Sequence, residues 1–254
     1  MVKGRWVLAI PIRAVIFDFI GTLASISKSY SLEASKLKMY NALYSCGFRV
    51  DFNRFMEAYN WAHEKYRAIR YQDFVEVTNA VWVSDALKRL GFEVAQDDPR
   101  VKVAVNVFFH DYLYSFRIRR CAKKVLTNLS GDYKLGLVSN FTYAPLIYAA
   151  LRMLKINRFF NAILVSDAVG WRKPHPKIFE EALSRLRVKP EETVYIGDSP
   201  EEDIKGAKQL GMKTIYVESQ FYPFEALKKS TQTPDATAKN LCEVYDVFLK
   251  IVNV

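Results

Sequence analysis

Residues 13–22 read Arg13-Ala14-Val15-Ile16-Phe17-Asp18-Phe19-Ile20-Gly21-Thr22, and the fold turns on how this stretch is read. Its first part, 13–19, is a short apolar run rich in β-branched residues, the pattern of a strand buried on both faces. It ends on a carboxylate followed by a glycine-bearing turn. In open α/β sheets the polar groups that act on a ligand gather at the carboxyl ends of strands, which makes Asp18 the first candidate.

Working outward, similar apolar runs recur at Lys134–Ser139, Ala162–Ser166, Thr193–Ile196 and Lys213–Val217. Helix-length amphipathic segments separate them: Ile118–Leu129, Tyr143–Leu154, His175–Leu186 and Glu201–Leu210. Gly131 and Gly211 fall where a left-handed helix cap is wanted. This alternation predicts an α/β protein, with parallel strands joined by right-handed crossovers in a three-layer core. The stretch from about 24 to 117 breaks the rhythm and reads as almost wholly helical. Gly47 and Gly91 are expected helix stops and Pro99 an expected start. Tyr59, Trp61, Tyr66, Phe74 and Trp82 are read there as packing residues of a helical bundle. The expected organisation is therefore a core of residues 1–24 and 118–254, interrupted by a helical domain of residues 25–117. Beyond Val217, Pro223 and Pro234 bound a loop-rich stretch, and Asn240–Val252 reads as a closing helix.

Bulk properties narrow the function classes. The 254 residues are 50% hydrophobic and 25% charged, which excludes disordered, collagenous and coiled-coil chains. No apolar run approaches the roughly 18 residues of a membrane span. Met1–Pro11 lacks a signal-peptide core and cleavage site, so a cytoplasmic protein is expected. Cys46, Cys121 and Cys242 are odd in number and widely spaced, and are read as reduced core cysteines rather than a disulfide framework or a metal site. The formal charge of +10 raises nucleic acid, acidic membranes and small anions as partners. From Ala24 to Arg117 there are 13 Lys+Arg against 11 Asp+Glu, so most of the excess lies in the α/β part. Its densest cluster, Arg117 to Arg120 with Lys123 and Lys124, reads as a solvated helix face. No groove-reading motif or aromatic interleaving supports nucleic-acid binding.

The first four predicted strands end in groups suited to chemistry. The first ends in Asp18-Phe19-Ile20-Gly21-Thr22 and the second in Ser139-Asn140; Gly170-Trp171-Arg172-Lys173-Pro174 follows the third, and Gly197-Asp198-Ser199 with Asp203 follows the fourth. In this order and spacing they resemble the four motifs of the haloacid dehalogenase superfamily, whose members are mostly phosphatases. The resemblance covers residues 13–220, and the helical insertion looks like that superfamily's C1-type cap on a Rossmann-like core. Tyr71-Gln72-Asp73-Phe74-Val75-Glu76-Val77-Thr78 is similar to the cap of its dehalogenase-like branch.

The resemblance implies a magnesium-dependent hydrolase acting on a small anionic phosphorylated metabolite. Asp18 would be the nucleophile, and splitting one displacement into two through a covalent intermediate eases each step. Asp18, Asp198 and the backbone carbonyl of Ile20 would ligate Mg2+, with Asp203 behind them orienting a metal-bound water or Lys173. Lys173 and Ser139 would hold the phosphoryl oxygens, with Phe19, Gly21, Thr22 and Asn140 shaping the phosphate loop. In the insertion, His63, Arg67 and Arg70 are the expected substrate-facing residues. Arg67, Arg70 and Tyr71 are placed in a loop between two helices.

One position departs from the pattern. Phosphatases of this superfamily carry a second Asp, a general acid–base, where this chain has Ile20. The substitution leaves three readings open. The first is a phosphatase whose acid is altered or supplied by the substrate. The second is a dehalogenase- or phosphonatase-type hydrolase, in which Tyr or Ala takes that position; Lys36, Lys38 and Lys65 are then the cap lysines available for a Schiff base. The third is a phospho-ligand-binding protein that has lost catalysis.

Overall fold

Val15 and Phe17 pack into one apolar core, and Ala14 and Ile16 into a second on the opposite side of the same strand. This is what period-two alternation demands of a strand with helices on both faces. The computed structural model describes residues 11–252. The apolar stretch Trp6–Ile10 lies outside the described residues. Strand β1 (Ala14–Phe17) is flanked by parallel partners β4 (Lys134–Ser139) and β6 (Thr193–Gly197). With β5 (Ala162–Val165), β7 (Lys213–Val217) and β8 (Ala236–Ala238) they form a six-stranded parallel sheet, ordered β5-β4-β1-β6-β7-β8. Strand order reverses at β1, the position at which such sheets open a ligand crevice.

Helices α6 (Ala122–Ser130), α7 (Ala144–Met153) and α12 (Val244–Val252) cover the Val15 face, and α9 (Pro176–Leu186) and α10 (Lys205–Gln209) the Ile16 face. Short helices α8 (Ser166–Val169) and α11 (Phe224–Lys229) complete this part of the chain. The fold is an α/β three-layer sandwich with a Rossmann-like sheet.

Between β2 (Ala24–Ile26) and β3 (Phe116–Ile118) the chain forms five helices: α1 (Leu32–Ser45), α2 (Phe52–Lys65), α3 (Arg67–Tyr71), α4 (Asn79–Arg89) and α5 (Pro99–Ser115). Ser31, Asp51 and Asp98 cap α1, α2 and α5 through their side-chain oxygens, and Pro99 opens α5. Gly47 and Gly91 end helices at positive φ, as does Gly211. Helix α1 packs on α5 and α2 on α4, with their apolar faces continuous with the Val15 core.

Several expectations from sequence are corrected. Ile118 does not begin a helix: β2 and β3 pair antiparallel, with Ile118 opposite Ala24. Cys121 then adopts φ 67°, which no α-helix contains, so α6 starts at Ala122. The basic cluster is accordingly split, with Arg117 on the ribbon and Lys123 and Lys124 on α6. Gly131 is right-handed at φ −73°, because α6 closes through the Asp132 and Tyr133 N–H groups donating to the Leu129 carbonyl. Phe74, at φ 56°, and the exposed Trp61 are not bundle-core residues; Tyr59 and Trp82 are buried. Arg67 to Tyr71 form helix α3, not a loop. Cys121 and Cys242 form a disulfide, and only Cys46 is free. The fold brings together two cysteines that lie 121 residues apart, a proximity that spacing does not encode, and the cysteine-based argument for a reducing compartment falls with it. Among the described residues no helix is long and apolar enough to cross a membrane.

Candidate active site

Adjacent parallel strands deliver the polar groups to one place. Asp18 follows β1, Ser139 ends β4, Asp198 follows β6, and Lys173 lies ahead of α9. Lys173 is the hub and is only 2% exposed. Its Nζ has four oxygens within hydrogen-bond distance of its three N–H groups: Asp203 Oδ1 at 2.6 Å, Asp18 Oδ1 at 2.8 Å, the Val138 carbonyl at 3.0 Å and Tyr195 Oη at 3.1 Å. Burial disfavours the ammonium, but Asp18 and Asp203 outweigh it and hold the lysine charged, well above its ordinary pKa.

Asp18, Asp198 and Asp203 are all buried, and one carboxylate oxygen from each lies within 4.8 Å of the others. Burial, opposed by Lys173, lifts the Asp18 carboxyl to about 6. Burial, then the nearby Asp18 and Asp203, pushes Asp198 well above the carboxylate range. One lysine does not neutralise three carboxylates in a low-dielectric pocket. Asp18 Oδ2 is also buried with no hydrogen-bond partner among the described residues. A hard divalent cation fits this donor set, supplying the missing charge. Asp203 faces Lys173: its Oδ1 also accepts from Tyr195, and its Oδ2 accepts from the Ser199 N–H at 2.9 Å.

The turn after β1 is clamped from several sides. Gly21 takes φ 101°, and a Cβ there would collide with the Asp198 carboxylate. Arg119 donates to the Gly21 and Thr22 carbonyls and to the Glu218 carbonyl. Thr22 Oγ1 lies 3.5 Å from Asp198 Oδ1, and Ser219, just past β7, donates to Asp198 Oδ2 at 2.5 Å. Phe19 is fully buried against Phe116, so its side chain faces the core, not the cleft. The Asn140 side chain is committed to the backbone of Lys173: Nδ2 donates to its carbonyl at 3.0 Å, and Oδ1 accepts from its N–H at 2.7 Å.

From this cluster a cavity of about 540 Å³ runs beneath the inserted helices. Asp18, Ile20, Ser139 and Asp198 line its floor, and His63, Arg70 and Trp82 its far walls. Arg67 does not reach it; its side chain is exposed and pairs with Glu64. Of the cap lysines, Lys36 lines the cavity, whereas Lys38 and Lys65 pair with Asp111 and Asp85.

Glu76 joins the insertion to the α/β layer. Its carboxylate accepts from Arg70 at 3.0 Å, from Arg172 at 2.7 Å and from Ser166. Backbone bonds between Glu76 and Gly170 and between Arg172 and Phe74 reinforce the junction. Sequence reading missed Glu76, Arg119, Tyr195 and Ser219. Of these, only Ser219 carried a usable signal, a hydroxyl at the end of the fifth predicted strand.

A parallel sheet with these groups at its strand ends, under a helical roof, defines a Rossmann-like hydrolase. The sequence profile described as haloacid dehalogenase-like hydrolase matches residues 52–217. The chain belongs to that family. It is 30% identical over 241 residues to the glyceraldehyde 3-phosphate phosphatase of Methanopyrus kandleri, covering 93% of this chain and 97% of that protein. The Pyrococcus furiosus protein of the same name is 31% identical over 208 residues, 81% of this chain and 80% of that one. Among solved structures, a 2-haloacid dehalogenase from Pseudomonas syringae superposes with TM-score 0.68 at 22% identity, over 94% of this chain and 99% of that one. A phosphatase from Thermococcus onnurineus gives TM-score 0.62 at 20% identity, over 93% and 98%. At these identities the structural likeness speaks for the fold.

Proposed function

We propose that this protein is a magnesium-dependent phosphatase that hydrolyses a small phosphorylated metabolite through an aspartyl-phosphate on Asp18. The observation that carries the reading is the asymmetry of the Asp18 carboxylate. Oδ1 is held by Lys173, while Oδ2, on a residue that lines the cavity, is buried and has no hydrogen-bond partner among the described residues. A carboxylate oriented by one oxygen presents the other as a nucleophile. Oδ2 forms a bond to phosphorus as the ester P–O bond breaks and the alcohol oxygen leaves. Water then attacks the same phosphorus, releasing phosphate and restoring the carboxylate.

Asp18, Asp198 and the Ile20 carbonyl would hold Mg2+, which when bound offsets the repulsion between a carboxylate and a phosphate dianion. Ser139 faces the phosphoryl oxygens, Lys173 holds Asp18 in place, Asp203 and Tyr195 aim Lys173, and Ser219 and Thr22 steady Asp198. Ile20 can neither give nor take a proton, so the leaving oxygen is protonated by solvent or by the substrate's own groups. The names of the Methanopyrus and Pyrococcus relatives support a phosphorylated metabolite as substrate.

The test is phosphate release from p-nitrophenyl phosphate with and without Mg2+, for the native chain and for Asp18→Asn. Turnover that needs the metal and vanishes in the variant is expected. Chloride release from 2-chloropropionate without metal would replace this reading with dehalogenation. No turnover, together with a melting temperature raised by phosphate, would replace it with binding alone.

A further inference from the structure

Past Asp18, every lysine and arginine that lines the cavity among the described residues is ion-paired: Lys36 with Glu33 at 3.0 Å, Arg70 with Glu76 at 3.0 Å, and Arg172 with Glu76 at 2.7 Å. Arg172 also lies 3.8 Å from Glu202. Burial, then Arg70, holds the His63 imidazole below its ordinary pKa, so it presents a neutral ring. Among the described residues, a carboxylate or second phosphate at the far end of a substrate would compete with Glu33 or Glu76 for each of these cations, and burying such a group is costly.

What the walls do offer is neutral and polar. Asn79 Oδ1 and Trp82 Nε1, on residues that both line the cavity, are buried and lack partners among the described residues. They are three positions apart on α4 and so share a helix face. Tyr59 Oη accepts from Asn79 Nδ2 at 3.1 Å, which fixes the free end of that amide as its acceptor. The pair therefore leaves one acceptor and one donor unserved, which a hydroxyl can serve in either sense. Around them the walls are aromatic, with Tyr30, Tyr59, Phe108, Phe109 and Tyr112 beside Trp82. The volume of 540 Å³ matches about 18 waters at ~30 Å³ each. A phosphoryl group bearing a three-carbon alcohol leaves much of that space unfilled.

We propose that the leaving group is a neutral, hydroxyl-bearing alcohol larger than a triose, the substrate being a sugar monophosphate. Trp82 Nε1 donates to its hydroxyls, Asn79 Oδ1 accepts from them, and the aromatic walls cover the sugar's carbon framework. This deepens the phosphatase reading and rests on it.

The test is a matched panel assayed with the native chain and Mg2+: glucose 6-phosphate, ribose 5-phosphate, 6-phosphogluconate, phosphoglycolate and glyceraldehyde 3-phosphate, with p-nitrophenyl phosphate as reporter. Glucose 6-phosphate and 6-phosphogluconate are similar in size and differ by a carboxylate. The neutral sugar phosphates are expected to exceed both carboxylated esters in kcat/KM by about 30-fold or more, and the triose phosphate by about 10-fold. A carboxylated ester or the triose phosphate turning over best overturns the proposal. Hydrolysis of p-nitrophenyl phosphate alone does the same while leaving the phosphatase reading intact; failure of that reporter removes both.

Two variants test the residues. Trp82→Phe should lower kcat/KM for the sugar phosphate relative to p-nitrophenyl phosphate by about 10-fold. Glu76→Gln strips the shared carboxylate from two arginines, and should raise the 6-phosphogluconate to glucose 6-phosphate ratio by about 10-fold. An unchanged ratio in the first variant overturns the role of Trp82, and in the second the charge argument. The native panel decides the substrate class whether or not either variant folds.

Discussion

Asp203 Oδ1 stands 2.6 Å from Lys173 Nζ, nearer than Asp18 at 2.8 Å, and the other Asp203 oxygen is taken by the Ser199 N–H. Both oxygens are thus committed to protein groups, and in the proposed mechanism Asp203 aims the lysine. Among the described residues the Asp198 carboxylate meets the hydroxyls of Thr22 and Ser219, and it keeps coordination capacity for a cation. Asp203→Asn should therefore lower kcat by about 10–100-fold while moving the Mg2+ half-saturation by less than about 3-fold. Asp198→Asn should raise that half-saturation by about 10-fold or more. Metal titrations of p-nitrophenyl phosphate turnover separate the two; similar shifts in both variants would make Asp203 a metal-site residue.

Gly21 is constrained twice, by φ 101° and by the Asp198 carboxylate lying where a Cβ would sit. Gly21→Ala should cost about 1–3 kcal/mol from backbone strain and displace Asp198 as well. Thermal melts with and without Mg2+ are expected to show a lower midpoint and a smaller metal-induced rise. A native metal-induced rise would mean that the turn relaxes without moving Asp198.

How much of this was legible in the sequence follows from the range of the forces involved. Buried strands and amphipathic helices imprint a period on neighbouring residues, so β1, β4, β5, β6 and β7 stand out, and with them the strand-end residues Asp18, Ser139 and Asp198. The three-residue ribbon of β2 and β3 is too short to show a period. Glu76 binds Arg172 from 96 positions away, and Cys121 binds Cys242 from 121. Such contacts are made by the fold and leave no mark on local spacing. Arg119 was hidden for another reason: in a basic run it looks like surface charge, yet it is turned inward onto the Gly21 carbonyl.

The Cys121–Cys242 disulfide ties the residue ahead of α6 to the turn that leads into α12. Cross-linking over so long a loop restricts the unfolded chain, an effect of about 2–4 kcal/mol. Chemical denaturation with and without a reductant should show that loss. The Cys121→Ser variant should match the reduced protein and be insensitive to reductant. Identical native curves in both conditions would mean that the bond contributes nothing to stability.

Ile20 lines the same cavity as Asp18 and carries no group that can give or take a proton. General acid help is worth about 10²–10⁴-fold for poor leaving groups and little for acidic ones. The native chain should therefore hydrolyse aryl phosphates with a steep dependence of rate on leaving-group pKa. Ile20→Asp should flatten that dependence and raise turnover of alkyl phosphates by about 10-fold or more. Rates measured across substituted phenyl and alkyl phosphates decide the point. An unchanged slope would mean that another group already protonates the leaving oxygen.

The crowding of three carboxylates around one lysine carries a pH signature. Burial lifts Asp18 from 3.8 to about 6, and burial with the neighbouring carboxylates lifts Asp198 in the same direction. Between the unfolded and folded values the native state binds more protons than the unfolded chain, so unfolding free energy falls as pH rises through that window. The contribution of Asp18 alone is on the order of 3 kcal/mol. The chelated protein should thus lose stability between about pH 4 and pH 7, and Asp18→Asn should remove much of that loss. Added Mg2+ restores the missing charge only where the carboxylates are ionised, so it should stabilise far more near pH 8 than near pH 5. Urea denaturation across that range, with EDTA or with excess Mg2+, measures both effects. A metal stabilisation equal at both pH values would show that the cation does not bind at these carboxylates.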